Sequence, residues 1–345
     1  MNFLRQIAYP LSLLYGLITS FRNFLYNKNI IKSTAFKTPV IVVGNLSVGG
    51  TGKTPQIEYL IRLLQNDYKI AVLSRGYKRK SKGFIIADEN ITADIIGDEP
   101  FQYYKKFQDI IVAVDTNRTN GIHLLEKLKN PPDVILLDDA FQHRKVRAGF
   151  NILLTSYNNL YVDDMLLPTG NLREKISGAK RAQIIIVTKC PSNISKKEQS
   201  KIVKRLNPTN KQTVFFTTIE YDNELKGFSN INFEEAKNME ILLITGIANP
   251  TPLINYLNSE KIKFKHLKYP DHYHFRNKDI EVINDAFDTI QSNKKIILTT
   301  EKDYVRIFVE LQNLVFIEIK TKFVNRSIDF DKIIKKYVEQ SSGDR

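Results

Sequence analysis

The sequence predicts an α/β fold in which a mostly parallel β-sheet is flanked by helices. Short apolar runs of strand length alternate with polar segments of helix length along most of the 345 residues. That alternation is typical of parallel βαβ units. The first run, Val40 to Val43, consists of β-branched residues only, as expected for a strand buried on both faces. A glycine cluster follows it, and then a helix-like segment from Thr54 to Leu64.

The stretch between that strand and that helix predicts a phosphate-binding loop. Unpaired amide hydrogens and the helix dipole both attract an anion at such a junction. Lys53 would reach the β- and γ-phosphates, and the Thr54 hydroxyl would bind Mg²⁺. One departure is Ser47, where the pattern G-x-x-x-x-G-K-[ST] has its first glycine. An ordinary glycine turn is the alternative, but the order of strand, loop and helix favours nucleotide binding. The predicted nucleotide-binding residues are Ser47, Val48, Gly49, Gly50, Thr51, Gly52, Lys53 and Thr54.

Composition narrows the class of protein. A hydrophobic content of 42% with 26% charged residues is that of a folded soluble chain. The net charge of +14 indicates a surface that prefers anions. No RNA-recognition or zinc-finger pattern is present and the lysines are spread along the chain, so we expect no nucleic acid partner. The single cysteine, Cys190, excludes an internal disulfide and fits a small buried residue at a strand end. No obligate protein partner is evident.

The predicted elements divide the chain into three parts. The sequence after Tyr221 is polar and turn-like, which places a boundary near residues 210 to 235. We expect an N-terminal amphipathic helix in 1–35, a core domain in 36–220, and a second, smaller α/β domain in 221–345. The further predicted strands are KIAVLS, DIIVAV, DVILL, FNILLTS, AQIIIVT, TVFFTTIEY, EILLIT, KKIILTT and NLVFIEI.

The N-terminal segment has two interpretations. It carries no charge from Gln6 to Phe21, which is shorter than the roughly 20 apolar residues that span a bilayer. No small-residue cleavage site of a secretory signal follows it. The residues alone leave open a helix packed in the core and a helix lying in a membrane interface. Apolar residues recur at helical spacing at Leu11, Leu14, Tyr15, Ile18, Phe21 and Leu25. The basic residues that flank this stripe are Arg5, Arg22, Lys28, Lys32 and Lys37.

Two adjacent acids follow a buried strand of the core domain. Asp138 and Asp139 come directly after the run Val134 to Leu137. In P-loop proteins an acid at this place joins the magnesium shell. A helix N-cap is the alternative, and the upstream loop favours the metal. The sequence leaves open which of the two acids binds it.

Three further stretches are polar in a way that a scaffold does not require. "IGDEPF" places Asp98 and Glu99 in a turn, "LLPTGNLREK" carries Arg173 and Glu174, and "YPDHYHF" carries Asp271, His272 and His274. Each alone fits a β-turn, a surface salt bridge or a capping motif. Together they resemble parts of a kinase, namely a base, arginines that neutralise charge, and a histidine that tunes the base.

These motifs resemble those of the tetraacyldisaccharide 4'-kinase family of lipid A biosynthesis, known as LpxK. The resemblance rests on "VGNLSVGGTGKTP", "LSRGYKRK", "GDEP", "DDAFQHRKVRAGFNI", "LLPTGNLRE", "TGIANP", "YPDHYHF" and "TTEKD", in the family's order from about residue 38 to 305. The family tolerates a hydroxyl residue at the position of Ser47. Ala140 stands where many members have glycine.

The resemblance implies a P-loop kinase of two α/β domains that binds ATP and Mg²⁺ between them. It would transfer the γ-phosphate of ATP to the 4'-hydroxyl of a tetraacylated glucosamine disaccharide 1-phosphate, at the cytoplasmic face of the bacterial inner membrane. The resemblance assigns the base to Asp98 and its histidine to His272. Further implied catalytic residues are Lys53, Asp138, Asp139, Arg118 and Arg173, with Arg75 nearby. The implied metal ligands are Thr54, Asp138, Asp139 and Glu174.

The implied substrate bears on the N-terminal helix. A lipid with four acyl chains stays in the bilayer, because each buried methylene contributes about 0.8 kcal/mol. The enzyme must therefore come to the membrane, and an apolar stripe flanked by basic residues suits that task. The resemblance thus favours peripheral or monotopic contact with a membrane.

Two other functions share parts of the pattern. P-loop ATPases of the partitioning type have a similar "GGTGKT" core, but they hold an extra lysine early in the loop where this chain has Asn45, Leu46 and Ser47. A basic membrane-bound scaffold with a regulatory nucleotide site would turn ATP over slowly and would ignore an acyl disaccharide.

Overall fold

The computed structural model describes residue 5, residues 7–307 and residues 311–342. Within these residues, thirteen strands form one sheet. Strands β1 to β13 are Val40–Asn45, Ile70–Ser74, Ile85–Ile86, Ile111–Val114, Val134–Asp138, Phe150–Ser156, Ile184–Thr188, Thr213–Gly227, Ile231–Asn232, Glu240–Thr245, Phe264–Lys268, Lys295–Thr300 and Leu314–Phe323. Helices α1 to α11 are Tyr9–Asn27, Lys53–Leu64, Ala93–Ile96, Asp98–Lys106, Arg118–Glu126, Lys196–Leu206, Phe233–Ala236, Thr251–Ser259, Asn277–Asp288, Glu301–Ile307 and Ser327–Ser342.

The sheet joins two lobes through one long strand. In the first lobe the order is β8-β7-β6-β1-β5-β2-β4-β3, and only β3 is antiparallel to its neighbour. In the second lobe β11, β10, β12 and β13 are parallel, while β13 pairs with β8 in the antiparallel sense. The first residues of β8 pair with β7 and its remainder pairs with β13. The predicted α/β class with a mostly parallel sheet is therefore confirmed.

Strand β8 is longer than the sequence predicts. The segment after Tyr221 was expected to be turn-like, but the strand continues to Gly227. Leu225 pairs with Ile317 and is fully buried, whereas its polar neighbours on β8 face outward. In the sequence, a single apolar residue among polar ones lacks the alternation of a strand, so this segment resembles a turn. The segment forms a strand because β13 provides its pairing partner.

The core of the first lobe lies on both faces of the sheet. All six residues of β1 are buried, as the β-branched run predicts. Ile41 and Val43 pack with Ile57 and Ile61 of α2 on one face. Val40 and Val42 belong to the cluster on the opposite face. The strand that leads into the glycine loop is thus fixed from both sides.

The last helix, α11, returns to the first lobe. Its residues Phe330, Ile334 and Val338 are fully buried in the core cluster that contains Ile41. The Tyr59 hydroxyl of α2 also donates to Asp331 Oδ1 at 2.8 Å. The division at residue 220 stays a prediction, and α11 packs on the lobe that precedes that boundary.

A buried cluster of charges connects the lobes. Lys106 Nζ at the end of α4 lies 2.9 Å from Glu58 Oε2, 2.9 Å from Glu301 Oε1 and 3.2 Å from Glu318 Oε2. Burial and the Glu58 charge raise the pKa of Glu301 to about 8. Removing one partner of such a cluster leaves charges buried and unpaired, which is strongly unfavourable. The cluster therefore fixes how the second lobe sits on α4.

Helix α1 buries its small and polar residues. Ser12, Gly16, Thr19 and Tyr26 face the protein. A Cβ at Gly16 would lie 2.6 Å from Leu166 Cδ1, so the helix packs at close range there. The large apolar side chains that are exposed on it and just before it are Ile7, Tyr9, Leu11, Leu13, Leu14, Leu17, Ile18, Phe21 and Phe24.

This arrangement revises the predicted apolar stripe. Four of its members face outward as predicted, but Tyr15 turns inward and donates to the Arg173 carbonyl at 2.8 Å, and Leu25 is half-buried. A core-packed helix would bury the stripe, so that alternative is excluded. No helix in the described part of the chain is long and apolar enough to cross a membrane.

Candidate active site

The candidate site lies where the carboxyl ends of the parallel strands of both lobes meet. In the first lobe the glycine loop follows β1, and Asp138 is the last residue of β5. In the second lobe Gly246 follows β10 and His272 follows β11. Ligands of α/β sheets bind at this edge because the loops there are free to vary and helix N-termini point towards it.

Side chains from neighbouring strands hold the phosphate loop in shape. Asn45 Nδ2, fully buried, donates to Thr51 Oγ1 at 2.9 Å. Thr188 Oγ1 donates to the Thr51 carbonyl at 2.8 Å, and Lys189 Nζ donates to the Gly50 carbonyl at 2.6 Å. These bonds use loop carbonyls and so fix the loop without using its amide hydrogens, although the Thr51 amide itself donates to the Gly49 carbonyl at 3.0 Å. The remaining amides at the start of the following helix can bind an anion.

The backbone explains which glycines the loop needs. Gly49 and Gly52 have φ of +113° and +83°, in the region that favours glycine. Ser47 instead forms an antiparallel bridge with Leu172, and the Val48 amide donates to the Asn171 carbonyl at 2.8 Å. An extended residue needs no glycine, so Ser47 fits although it departs from the general pattern.

Three predicted residues meet beside the loop. Lys53 Nζ is 3.8 Å from Asp139 Oδ1, and Arg173 NH1 donates to the same oxygen at 2.9 Å. Burial raises the pKa of Asp139, but the positive charges of Lys53 and Arg173 outweigh burial and lower it. Asp139 is therefore ionised at neutral pH and holds both cations next to the loop.

Asp138 has the opposite electrostatic environment. Its side chain is buried, and Oδ1 has no hydrogen-bond partner among the residues that the structure describes. Burial raises its pKa to about 7, and the Lys53 charge opposes this shift. A buried carboxylate oxygen without a partner is suited to a hard cation such as Mg²⁺.

Tyr103 links two of the four predicted metal ligands, Thr54 and Asp138. Its fully buried hydroxyl donates to Asp138 Oδ2 at 3.4 Å and is hydrogen-bonded with Thr54. In residues 5, 7–307 and 311–342, no three His, Cys, Asp or Glu side chains lie close enough to hold a metal alone. Mg²⁺ usually binds one or two carboxylates together with phosphates and water, so this donor set fits it. Sequence reasoning missed Tyr103 because it resembles a core aromatic.

Glu174 is fully engaged with the protein. Arg181 donates to both of its oxygens at 2.7 and 2.9 Å, Gln142 donates at 3.1 Å, and Asn23 of α1 donates at 2.7 Å. These contacts give Glu174 a structural task, because they join α1 to the first lobe. The metal role implied for it stays a prediction and gains no support from this geometry.

Arg118 lies close to the acid pair. It is the first residue of α5 and is buried, with NH1 donating to the Thr116 carbonyl at 3.3 Å. Burial lowers its pKa to about 10, while the charges of Asp138 and Asp139 act in the opposite direction. Arg118 is thus charged at neutral pH, as the implied role requires. Arg75 is exposed and near enough to influence the Arg118 pKa.

Asp98 and His272 meet across the cleft between the lobes. His272 Nδ1 lies 3.0 Å from Asp98 Oδ2, although 174 positions separate them in the sequence. Asp98 is the first residue of α4, not part of a turn as predicted, and Gly97 before it has φ of +94°. The His272 amide donates to the Gly246 carbonyl at 3.1 Å, which places the ring at the end of β10. His274 and Asp271 are exposed.

Two cations of α10, which sequence reasoning missed, complete this contact. Arg306 donates through Nε at 3.0 Å to Asp98 Oδ2 and lies 2.8 Å from it through NH2. Lys302 Nζ is 3.1 Å from His272 Nε2 and 3.2 Å from Glu99 Oε1. An ammonium group only donates, so Nε2 accepts and the proton on Nδ1 points to Asp98. Lys302 and Asp98 together therefore favour this tautomer of His272, although Arg306 NH2 also lies 3.4 Å from Nδ1.

The charge state of Asp98 follows from these neighbours. Burial raises its pKa, but the hydrogen bond with His272 and the charge of Arg306 outweigh burial and lower it. Asp98 is therefore an ionised acceptor at neutral pH. An ionised carboxylate beside a phosphate loop can accept the proton of an attacking hydroxyl.

A phosphate loop, an acid pair and an ionised carboxylate on one cleft define a P-loop kinase. The family described as tetraacyldisaccharide-1-P 4'-kinase, LpxK, matches residues 4–339, and the chain belongs to this family.

Relatives and a solved structure cover nearly the whole chain. The tetraacyldisaccharide 4'-kinase of Flavobacterium johnsoniae is 55% identical over 344 residues, and that of Flavobacterium psychrophilum is 56% identical over 347 residues, each covering 99% of both chains. A crystal structure of LpxK from Aquifex aeolicus, described as an apo form in complex with ATP, is similar with a TM-score of 0.77 and 33% identity. It covers 97% of this chain and 99% of its own.

Opposite pKa shifts of the two acids predict opposite effects on stability. The pKa of Asp138 is about 7 in the folded protein, above the roughly 3.9 of an unfolded chain. Its contribution to stability is therefore present below about pH 4 and is lost as the pH rises through 7. Without Mg²⁺, Asp138→Asn should leave the melting temperature nearly unchanged at pH 3.5, raise it slightly at pH 5 and raise it by several degrees at pH 8, since about 1 kcal/mol shifts Tm by about 2–4 °C in a chain of 150–250 residues and by less in a longer one.

The matched control is Asp139→Asn. The pKa of Asp139 is lowered on folding, so its contribution is present above the unfolded pKa and lost as the pH falls. Asp139→Asn should lower the melting temperature at pH 8. The same sign for both variants at pH 8 would contradict the assignment of the two environments.

Proposed function

We propose that this chain transfers the γ-phosphate of ATP to the 4'-hydroxyl of a tetraacylated glucosamine disaccharide 1-phosphate. The observation that carries the proposal is the contact of Asp98 with His272 across the cleft that also holds the phosphate loop. The relatives named tetraacyldisaccharide 4'-kinase support the substrate class.

The first lobe binds the phosphates of ATP. Amides of the glycine loop that are not bonded within the protein, together with the start of α2, bind the β- and γ-phosphates, and Lys53 neutralises the oxygens of the group being transferred. Thr54 and Asp138 would hold Mg²⁺, with Asp139 close to them; bound there, the ion neutralises charge between the β- and γ-phosphates. Arg173 and Arg118 add positive charge near the acid pair.

The second lobe completes the group that activates the acceptor. The 4'-hydroxyl gives its proton to Asp98 as its oxygen attacks the γ-phosphorus and the bond to the bridging oxygen of ADP breaks. The His272 Nδ1–H holds the carboxylate in place, and Lys302 holds the ring. Because these groups come from both lobes, the contacts that join the lobes hold them together. Reactants held between the lobes are shielded from water that would otherwise hydrolyse ATP.

Helix α1 brings the enzyme to its substrate. The exposed large apolar side chains of α1 lie on the face turned away from the protein. Such a face binds in the boundary between headgroups and acyl chains, where the four acyl chains of the acceptor also lie. We place the protein at the cytoplasmic face of the bacterial inner membrane, as a peripheral or monotopic enzyme.

Transfer of labelled phosphate tests the reaction. We expect label from γ-labelled ATP to appear in detergent-dispersed tetraacyldisaccharide 1-phosphate, and Lys53→Ala to remove most of it without unfolding the protein.

Asp98→Asn should lower kcat by about 10²–10⁴, with little change in the KM for ATP, since it removes the proton acceptor. His272→Ala should lower kcat, whereas the exposed His274→Ala should not. ATP hydrolysis that ignores the lipid would instead support a regulatory ATPase.

Acidic substitutions on α1 test the membrane contact. Leu14 and Ile18 are 55% and 61% exposed, so Leu14→Glu with Ile18→Glu should leave the melting temperature unchanged. Liposome co-sedimentation should fall and the KM for the lipid should rise, while the KM for ATP stays constant. The control is Val282→Glu with Ile328→Glu, which changes apolar residues that are equally exposed elsewhere. Normal liposome binding by the α1 variant would exclude this helix as the membrane contact.

A further inference from the structure

A buried group of charges connects the two helices that carry residues of the candidate site, α4 in the first lobe and α10 in the second. Lys106, the last residue of α4, donates through Nζ to Glu301 Oε2 at 2.9 Å. The same Nζ lies 2.9 Å from Glu58 Oε2 and 3.2 Å from Glu318 Oε2. All three carboxylates are buried. Buried ion pairs contribute little net stability, because desolvation offsets their attraction, so stability alone does not account for this group.

The three carboxylates differ in how many cations they contact. Arg62 NH2 lies 3.0 Å from Glu58 Oε2, and Lys226 Nζ lies 3.1 Å from Glu318 Oε1. Within the described part of the chain, Glu301 has the α4 lysine as its only cation. Removing the Glu301 carboxyl would therefore separate α10 from this lysine, while the lysine would keep two other carboxylates.

The protonation state of Glu301 makes glutamine a close substitute for it. Burial and the charges of Glu58 and Glu318 raise the pKa of Glu301 to about 8, against the opposing charge of Lys106. The Glu301 carboxyl is thus mostly neutral at pH 7 and accepts the hydrogen bond of the ammonium group as a glutamine carbonyl would.

Helix α10 begins at Glu301 and carries the cations that contact the residues of the cleft. Lys302 Nζ lies 3.1 Å from His272 Nε2, and Arg306 NH2 lies 2.8 Å from Asp98 Oδ2. The helix has only seven residues. It therefore moves as one piece, and a change in its direction would displace both cations.

Helix α4 is joined to α10 at both of its ends. Its first residue, Asp98, contacts Arg306, and its last residue, Lys106, contacts Glu301. At 1.5 Å per residue these two contacts lie about 12 Å apart along α4. A single contact would leave α10 free to pivot about it, whereas two contacts this far apart fix its direction.

We propose that Lys106 and Glu301 are positioning residues for the phosphate transfer. Their contact fixes the direction of α10 and thereby places the two cations of this helix against His272 and Asp98. The role in transfer rests on the proposed function, because that proposal gives Asp98 the proton of the acceptor. Lys106 and Glu301 act through the two helices, from a point remote from the transferred group.

The tautomer of His272 tests this positioning without catalysis. With α10 in place, the proton of the neutral ring lies on Nδ1, and a ring that loses the Lys302 contact can carry it on either nitrogen. We expect Glu301→Ala to convert the Nδ1–H form into a mixture of tautomers. The measurement is nitrogen NMR of the imidazole in the full-length protein at neutral pH, assigned with His272→Gln.

Three further variants control this measurement. Glu301→Gln keeps the hydrogen bond to Lys106 and should keep the Nδ1–H form. Lys226→Met removes a cation from the same group of charges but joins neither helix, so it should also keep this form. Lys106→Gln cuts the contact from the α4 side and should reproduce the mixture. An unchanged Nδ1–H form of His272 in both Glu301→Ala and Lys106→Gln would overturn the proposal, whether or not the protein is a kinase.

Turnover tests whether the positioning serves the transfer. Glu301→Ala should lower kcat by about 10- to 100-fold, because a small misplacement of reacting groups has an effect of this size. The KM for ATP should stay constant, since the first lobe binds the phosphates. Glu301→Gln should restore most of the rate, and Lys226→Met should keep the wild-type kcat.

A double variant separates this role from a general loss of stability. Added to Asp98→Asn, Glu301→Ala should cause no further loss of kcat, since both changes act on the same group. An equal loss in that background, or a normal kcat of Glu301→Ala alone, would overturn the proposal. Absence of lipid phosphorylation by the wild-type chain would count against the proposed function instead, and the His272 tautomer would still decide whether the Lys106 contact positions the pair.

Discussion

The hydrogen bond between His272 and Asp98 depends on two lobes that present the carboxyl ends of their parallel strands to one cleft. Strand β8 belongs to both lobes, so the two half-sheets continue through one backbone. The buried charges around Lys106 connect α4, which begins with Asp98, to α10 and β13 of the second lobe. The position of Asp98 is therefore fixed by the same contacts that join the lobes.

Helix α1 is connected to the cleft through one segment of the first lobe. Ser12 Oγ donates to Thr169 Oγ1 at 2.7 Å, and the Tyr15 hydroxyl donates to the Arg173 carbonyl. The side chain of Arg173 in turn holds Asp139 beside Lys53. Small and polar residues face inward on α1 because this segment packs closely against it, and its large apolar residues are left exposed. The exposed apolar face of α1 and the phosphate loop are thus connected through neighbouring residues.

Local patterns in the sequence predict the strand, the glycine loop and α2, because β-branched runs and glycines act within a few residues. The position of Asp98 opposite His272 is a long-range property, and only the resemblance to a family indicated it. Tyr103, Lys302 and Arg306 could not be recognised, since a buried tyrosine and helical cations have the same signature in most folds. The length of β8 was missed for a related reason, because its pairing partner β13 lies far along the chain.

The central claim is that Asp98 and His272 act as one unit across the lobes. A double-mutant cycle on kcat with Asp98→Asn, His272→Gln and the double variant tests this claim most directly. If His272 acts through Asp98, the double variant should be no slower than Asp98→Asn alone, at unchanged KM for ATP. Independent effects that multiply in the double variant would contradict it.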